Sequence, residues 1–297
     1  MLGKMFMKSI IIQSLNMIQN RDRFFYLFFC ILFFLFLIIC YYISRVIIML
    51  ALITGGTKGI GKEMAISLSK RGYDLILVSR TDTGFDDIKA KCMTKVSFYS
   101  YDLSIEEENY RLLDETKDLD IDIFIANAGY GDIGRINKTD TKKEVNMIKL
   151  NDISTFILTK EFLKRFIDKN KGRVLITASA AAFAVAPYMN IYYSTKAFVY
   201  SMAHGYYREL KDMKSKARIS VLCPGPVKTG FEERANAKFT IHSLKAEYVG
   251  KYAIKKMLNG KFLIIPGFKI KLGHFFAHFV PKRMISKILR KQAEIKE

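Results

Sequence analysis

Met49-Leu50-Ala51-Leu52-Ile53-Thr54-Gly55-Gly56-Thr57-Lys58-Gly59-Ile60-Gly61 decides the fold of this 297-residue chain. Five apolar residues make a buried strand, and the glycines that follow interrupt it at a turn opening into a helix. Only in that context does a glycine loop carry meaning. Gly55 suits the tight turn, Gly59 removes a side chain where backbone must approach a phosphate, and Gly61 lets strand and helix pack closely. The helix N-terminus then faces an anion with open N–H groups and its positive dipole end. Thr54, Gly55, Thr57, Lys58, Gly59, Ile60 and Gly61 are therefore candidate dinucleotide-binding residues.

Working outward, apolar runs alternate with helical stretches at 50–54, 74–78, 96–101, 121–126, 173–177, 218–222 and 262–265. This is the pattern of an α/β doubly wound, Rossmann-like parallel sheet of about seven strands with helices on both faces. Residues 49–266 read as one such domain. The hydrophobic content of 50% is ample for its core.

A second cluster carries proton chemistry. Tyr192 precedes Lys196 by one helical turn, so both lie on one face, and Ser179 ends the fifth strand thirteen residues before Tyr192. A tyrosine, with an ordinary pKa near 10, works as an acid-base group near neutrality only when a neighbour stabilises its phenolate. Tyr193 has no lysine four positions on and is set aside.

The order and spacing of these elements, TGxxxGIG rather than GxGxxG followed by Ser179, Tyr192 and Lys196, resemble the short-chain dehydrogenase/reductase family, classical type, from about residue 49 to 265. The resemblance implies an oxidoreductase transferring hydride between a nicotinamide cofactor and a carbonyl or secondary alcohol. It implies that Tyr192 protonates the carbonyl oxygen, that Lys196 lowers the Tyr192 pKa and binds the nicotinamide ribose, and that Ser179 orients the carbonyl. Asn151, in Lys149-Leu150-Asn151-Asp152, resembles the residue completing the tetrad through a water-linked relay. Asp102-Leu103 stands where the family contacts adenine. Asn127-Ala128-Gly129 ends the fourth strand, with Ala126 in place of the first Asn of the usual NNAG. Pro224-Gly225-Pro226-Val227-Lys228-Thr229 resembles the segment in which backbone near Val227 contacts the carboxamide and Thr229 reaches the cofactor, and residues 230–242 then cover the substrate. A homodimer or homotetramer through the helices carrying Asn151 and Tyr192 is also implied.

Cofactor choice follows from charge. An NAD-selecting site places a carboxylate near the end of the second strand for the ribose 2′-hydroxyl. Ser79 stands there, Arg80 follows, and Lys58 lies in the loop, so two cations and no carboxylate await a 2′-phosphate. The expected cofactor is NADP(H).

The flanks are less decisive. Residues 24–43 carry no charge and are long enough to cross the ~30 Å hydrocarbon core as a helix. Lys4, Lys8, Arg21 and Arg23 precede that run and Arg45 follows it, so the positive-inside tendency places the domain outside, whereas an NADP(H) enzyme belongs with the cytosolic cofactor pool. Two expectations stand: a single-pass anchor with the catalytic domain in the cytoplasm, or a cytoplasmic or peripheral protein starting at Met49, with residues 1–48 read from upstream sequence. The tail, 267–297, mixes apolar residues with Lys and Arg and suits either an interfacial amphipathic helix or a cover over the cleft or a second subunit. His274 and His278 are four apart but lack HExxH or a third ligand, so no metal site is expected.

The formal net charge is +20, of which +16 lies beyond residue 48. Such a surface favours phosphate-bearing cofactors and anionic membranes. The cations are spread along the chain rather than gathered in a recognition motif, which argues against nucleic acid. Four cysteines without CxxC spacing fit a reducing compartment. The expected substrate is a hydrophobic carbonyl or alcohol, such as a fatty acyl or steroid-like molecule. The competing readings are a non-catalytic NADP-binding redox sensor or membrane scaffold, and a basic membrane-adhesion module.

Overall fold

The computed structural model describes residues 28–36, 49–231, 238–239, 243–277 and 279–294. The chain divides into two compact units, Met1–Ile48 and Met49–Glu297. Within the first unit, residues 28–36 are helical with exposed Phe and Leu side chains. Of the expected span over 24–43, the remaining residues lie outside the described ones. Among the described residues no helix is long and apolar enough to cross a membrane.

The second unit is built on seven parallel strands: β1 (Met49–Thr54), β2 (Tyr73–Ser79), β3 (Val96–Ser100), β4 (Ile123–Ala126), β5 (Arg173–Thr177), β6 (Arg218–Leu222) and β7 (Leu263–Ile264). Their order is β3-β2-β1-β4-β5-β6-β7. Each expected strand is present; the third, fourth and seventh are shorter than their apolar runs, with Tyr101, Ile121 and Ile265 buried beyond the paired residues. The helices are α1 (Gly59–Ser69), α2 (Phe85–Lys91), α3 (Glu106–Glu115), α4 (Thr141–Ile148), α5 (Thr155–Asp168), α6 (Asn190–Asp212), α7 (Ala246–Leu258), α8 (Phe268–Ala277) and α9 (Lys282–Gln292). Between α4 and α5, Lys149–Ser154 is π-helical.

Burial on both faces explains why the strands read as continuous apolar runs. Along β4, Phe124 and Ala126 enter the core shared with α3, α5 and α6, while Ile123 and Ile125 enter the core shared with α1 and α7. Phe124 stacks on Phe162 of α5 with ring centroids 4.3 Å apart. Each such buried side chain contributes on the order of 2 kcal/mol by area removed from water.

Strand order reverses between β1 and β4, so the connections leaving their carboxyl ends diverge and open a crevice, the position where open α/β sheets hold ligands. Thr54 closes this end. Its Oγ1 accepts from the backbone N–H of Asn127 at 3.0 Å and of Ala128 at 3.1 Å, and Asn127 Nδ2 donates to the carbonyls of Thr54 at 3.2 Å and Gly55 at 3.0 Å. Thr177 Oγ1 donates to Asn127 Oδ1 at 3.1 Å, so the ends of β1, β4 and β5 are tied into one floor.

Candidate active site

A cleft of about 980 Å³ lies over that floor. Gly55 and Gly59 take the left-handed conformation, with φ of 63° and 56°. A side chain at Gly59 would meet Thr229 Cβ at 3.0 Å, so the loop and the turn after β6 can face one another only across a glycine. At the N-cap of α1, Lys58 makes no side-chain cap bond and no acidic residue occupies the first turn, which leaves the helix end open to an anion. Lys58 and Arg80 are exposed and line the cleft, and among the described residues neither pairs with a carboxylate. Ser79 is half-buried; its Oγ donates to Thr81 O at 2.6 Å and accepts from Thr57 Oγ1 at 3.4 Å.

The proton-bearing residues sit at the far end of the same cleft. Ser179 caps the 3-10 turn Ala180–Phe183, its Oγ accepting from Ala181 N–H at 3.1 Å. This leaves the hydroxyl proton free to donate. Tyr192 stands in the first turn of α6, half-buried at the cleft, and desolvation pushes its phenol up to about 12 against a hydrogen bond with Ser179 that favours the phenolate. The Lys196 ammonium lies 5.7 Å from the Tyr192 ring centroid and donates to Thr177 O at 3.1 Å. Burial holds it down to about 8. Desolvation dominates both groups, and at the phenol the hydrogen bond with Ser179 opposes it.

Asn151 is buried at the centre of the π-helical segment. Its Oδ1 accepts from Tyr130 N–H at 3.1 Å, and its Nδ2 donates to Tyr130 O at 2.9 Å and Thr195 Oγ1 at 3.1 Å. It thus grips the loop after β4 and the residue before Lys196.

The sequence-derived residues Gly55, Thr57, Lys58, Gly59, Ile60, Arg80, Leu103, Asn127, Ala128, Gly129, Ser179, Tyr192, Lys196, Pro224, Gly225, Val227 and Thr229 all line the cleft. Four lie behind its wall. Thr54 is buried in the floor, and Gly61 packs so tightly that a Cβ would come 2.2 Å from Gly55 O. Asn151 faces Tyr130 and Thr195, and Asp102 turns away to bind Ser104, accepting from its N–H at 3.0 Å and its Oγ at 2.7 Å. Tyr101 and Leu103 present the side chains that reach the cleft beside Asp102.

Other lining residues were not legible in motifs. Ala184, Ala186, Met189 and Phe231 form an apolar wall, and the Phe231 ring lies 5.4 Å from that of Tyr192. The described part of 230–242 therefore reaches the cleft at Phe231; residues 232–237 and 240–242 lie outside the described residues. The tail supplies another wall. Ile270 sits against Gly225, where a Cβ would meet its Cδ1 at 2.6 Å, and the His274 ring lies 4.0 Å from that of Phe183. Amphipathic composition was the one signal for that wall. Asp152, beside Asn151, carried none.

Comparison with known proteins agrees with this arrangement. The family model described as short chain dehydrogenase matches residues 49–239. Estradiol 17-beta-dehydrogenase 11 of Rattus norvegicus is 28% identical over 258 residues, covering 83% of this chain and 84% of the relative. Very-long-chain 3-oxoacyl-CoA reductase of Pyrenophora tritici-repentis is 34% identical over 161 residues, covering 50% and 47%. The solved short-chain dehydrogenase from Sphingobium yanoikuyae in complex with NADPH superposes with a TM-score of 0.70 at 23% identity, over 78% of this chain and 94% of that one. With the glycine loop, the strand order and Ser179, Tyr192 and Lys196 in one cleft, the chain belongs to the short-chain dehydrogenase/reductase family of oxidoreductases.

Proposed function

We propose that the protein is an NADP(H)-dependent reductase or dehydrogenase acting on a carbonyl or secondary alcohol of a hydrophobic, lipid-like molecule. The observation that carries this reading is the convergence of Ser179, Tyr192 and Lys196 on the cleft that also contains the glycine loop. Lys58, Arg80 and the uncapped start of α1 fit the phosphates, and the absence of a carboxylate at Ser79 and Arg80 favours a 2′-phosphate. NADP(H), when bound, supplies or accepts the hydride. Ser179 donates to the substrate oxygen and orients it, and Tyr192 delivers the proton to that oxygen during reduction or removes it during oxidation. Lys196, held near 8 by burial, resupplies Tyr192. Asn151 keeps the loop after β4 and the start of α6 in register.

The apolar wall of Ala184, Ala186, Met189, Phe231, Ile270 and Leu289 supports an apolar substrate. So do relatives named for estradiol and for very-long-chain 3-oxoacyl-CoA. Membrane association, through residues 24–43 or peripherally, and a dimer or tetramer through α5 and α6 are part of the same reading. Exposed Ile153 and Phe198 beside and within those helices support the latter.

The test is oxidation of NADPH and NADH by the purified chain with long-chain 3-oxoacyl and sterol ketones, alongside Tyr192→Phe. Turnover with NADPH that the variant loses by at least about 100-fold is expected for removal of an acid-base group. Tight NADPH binding without turnover on any carbonyl would replace the enzymatic reading with that of a sensor or scaffold.

A further inference from the structure

Helices α8 and α9 have two different faces. Inward, Ile270, His274, Ala277, Ile285 and Leu289 line the cleft, at the three- and four-residue spacing of one helical face. Outward, Phe268, Leu272, Phe275, Phe276 and Phe279 are exposed, Phe268 at 75% and Phe279 at 73%, with the Phe275 ring 5.5 Å from those of Phe276 and Phe279, and Met284 and Ile288 are exposed on α9. Isolated apolar residues on a surface are ordinary, but a contiguous run with this many aromatics marks an interaction site.

The charges around it identify the partner. Arg283, Lys287 and Arg290 are exposed on α9, while on α8 the exposed Lys269 lines the cleft and Lys271 donates to Tyr252 Oη at 3.0 Å; no Asp or Glu occurs from residue 267 to 293. A second copy of the chain laid on this face would set cations against cations. An anionic phospholipid surface meets both needs, because acyl chains take the aromatic rings and headgroups take the ammonium and guanidinium groups. The tail is also anchored for that purpose: Ala293 and Glu294 pair antiparallel with Phe239 and Lys238, so α9 is tied back to the chain at its far end.

We propose that the outer face of α8 and α9 docks on an anionic phospholipid surface, making these two helices the partition between lipid and cleft. The substrate then enters along them. Docking stands on the helices alone, whereas the entry route rests on the reading of the cleft as a lipid-carbonyl site.

The chain contains no tryptophan, so a single introduced indole reports its own depth without background. In the full chain, Phe276→Trp places it on the outer face and Leu289→Trp on the inner one. Each is mixed with vesicles of phosphatidylcholine, alone or with phosphatidylserine, carrying bromine on the acyl chains. The expected result is a blue shift and strong quenching for Phe276→Trp that grows with phosphatidylserine and falls with salt, and little quenching for Leu289→Trp. Adding Lys287→Glu and Arg290→Glu weakens the anion-dependent partitioning by about tenfold or more. Should Phe276→Trp fail to fold, Phe279→Trp reads the same face. Absence of quenching at the outer position, equal quenching at both positions, or quenching indifferent to phosphatidylserine and salt would overturn the proposal. Because quenching requires no turnover, an active enzyme with an unquenched outer indole refutes docking alone, and a quenched protein inactive on every carbonyl refutes the catalytic reading alone.

Discussion

Asp152 is 8% exposed, and its Oδ1 accepts no hydrogen bond among the described residues. Burial pushes its pKa up to about 7, with the Lys196 charge opposing. Below about pH 4 the carboxyl is protonated in folded and unfolded chains and costs nothing. Between about 4 and 7 the unfolded chain ionises first, so stability falls as pH rises, by a few kcal/mol at most, and then stays level. Asp152→Asn should therefore stabilise the protein at pH 8 and leave it nearly unchanged at pH 4, as urea unfolding at the two values would show. Asp152 also raises Lys196, so the same variant should move the Lys196 titration below that of the parent, a shift visible in the NMR of labelled lysine side chains. On the NADP(H) reading proposed above, Arg80→Glu should reduce kcat/KM for NADPH by about 10- to 100-fold, the worth of one charge-assisted contact, and spare NADH. Arg80 was legible from its place after the second strand. Asp152 was not, because its meaning is its burial.

At the scale of elements, the glycine loop and α1 hold a very tight tolerance. A Cβ at Gly61 would lie 2.2 Å from Gly55 O and 2.5 Å from Asn127 Nδ2. The obstacle on the carbonyl side is backbone, so relief means shifting the loop. Gly61→Ala should cost about 1–3 kcal/mol, lowering Tm by several degrees in a thermal melt, and should weaken NADPH binding as the loop moves. The strands were readable because both sheet faces are buried and apolar runs report that directly. The π-helical segment was not: one extra residue in a turn leaves no mark on an apolar period, although it brings Asn151 to the Tyr130 backbone and Thr195. Two-residue pairings such as Val227–Lys228 with Leu244–Lys245 are likewise below the length at which alternation can be recognised.

The whole molecule adds contacts that no single element encodes. If α5 and α6 form the subunit interface, Phe198, 45% exposed on α6, lies within it, and Phe198→Glu should yield monomers in sedimentation velocity without loss of the helical signal. By itself the sequence determined the class of fold, the glycine loop, the Ser179, Tyr192 and Lys196 set and the cationic second-strand end. Each rests on short-range spacing or on burial periodicity, which survive in one dimension. Only the tertiary structure decided that Asp102 turns to Ser104, that Thr54, Gly61 and Asn151 stand behind the cleft wall, and that the tail encloses the cleft with one face while displaying aromatics and cations on the other. Those outcomes depend on which segments, distant along the chain, compete for the same space and on how far burial outweighs charge. It is desolvation across the packed interior that sets Tyr192 near 12 and Lys196 near 8, a balance that residue spacing does not contain.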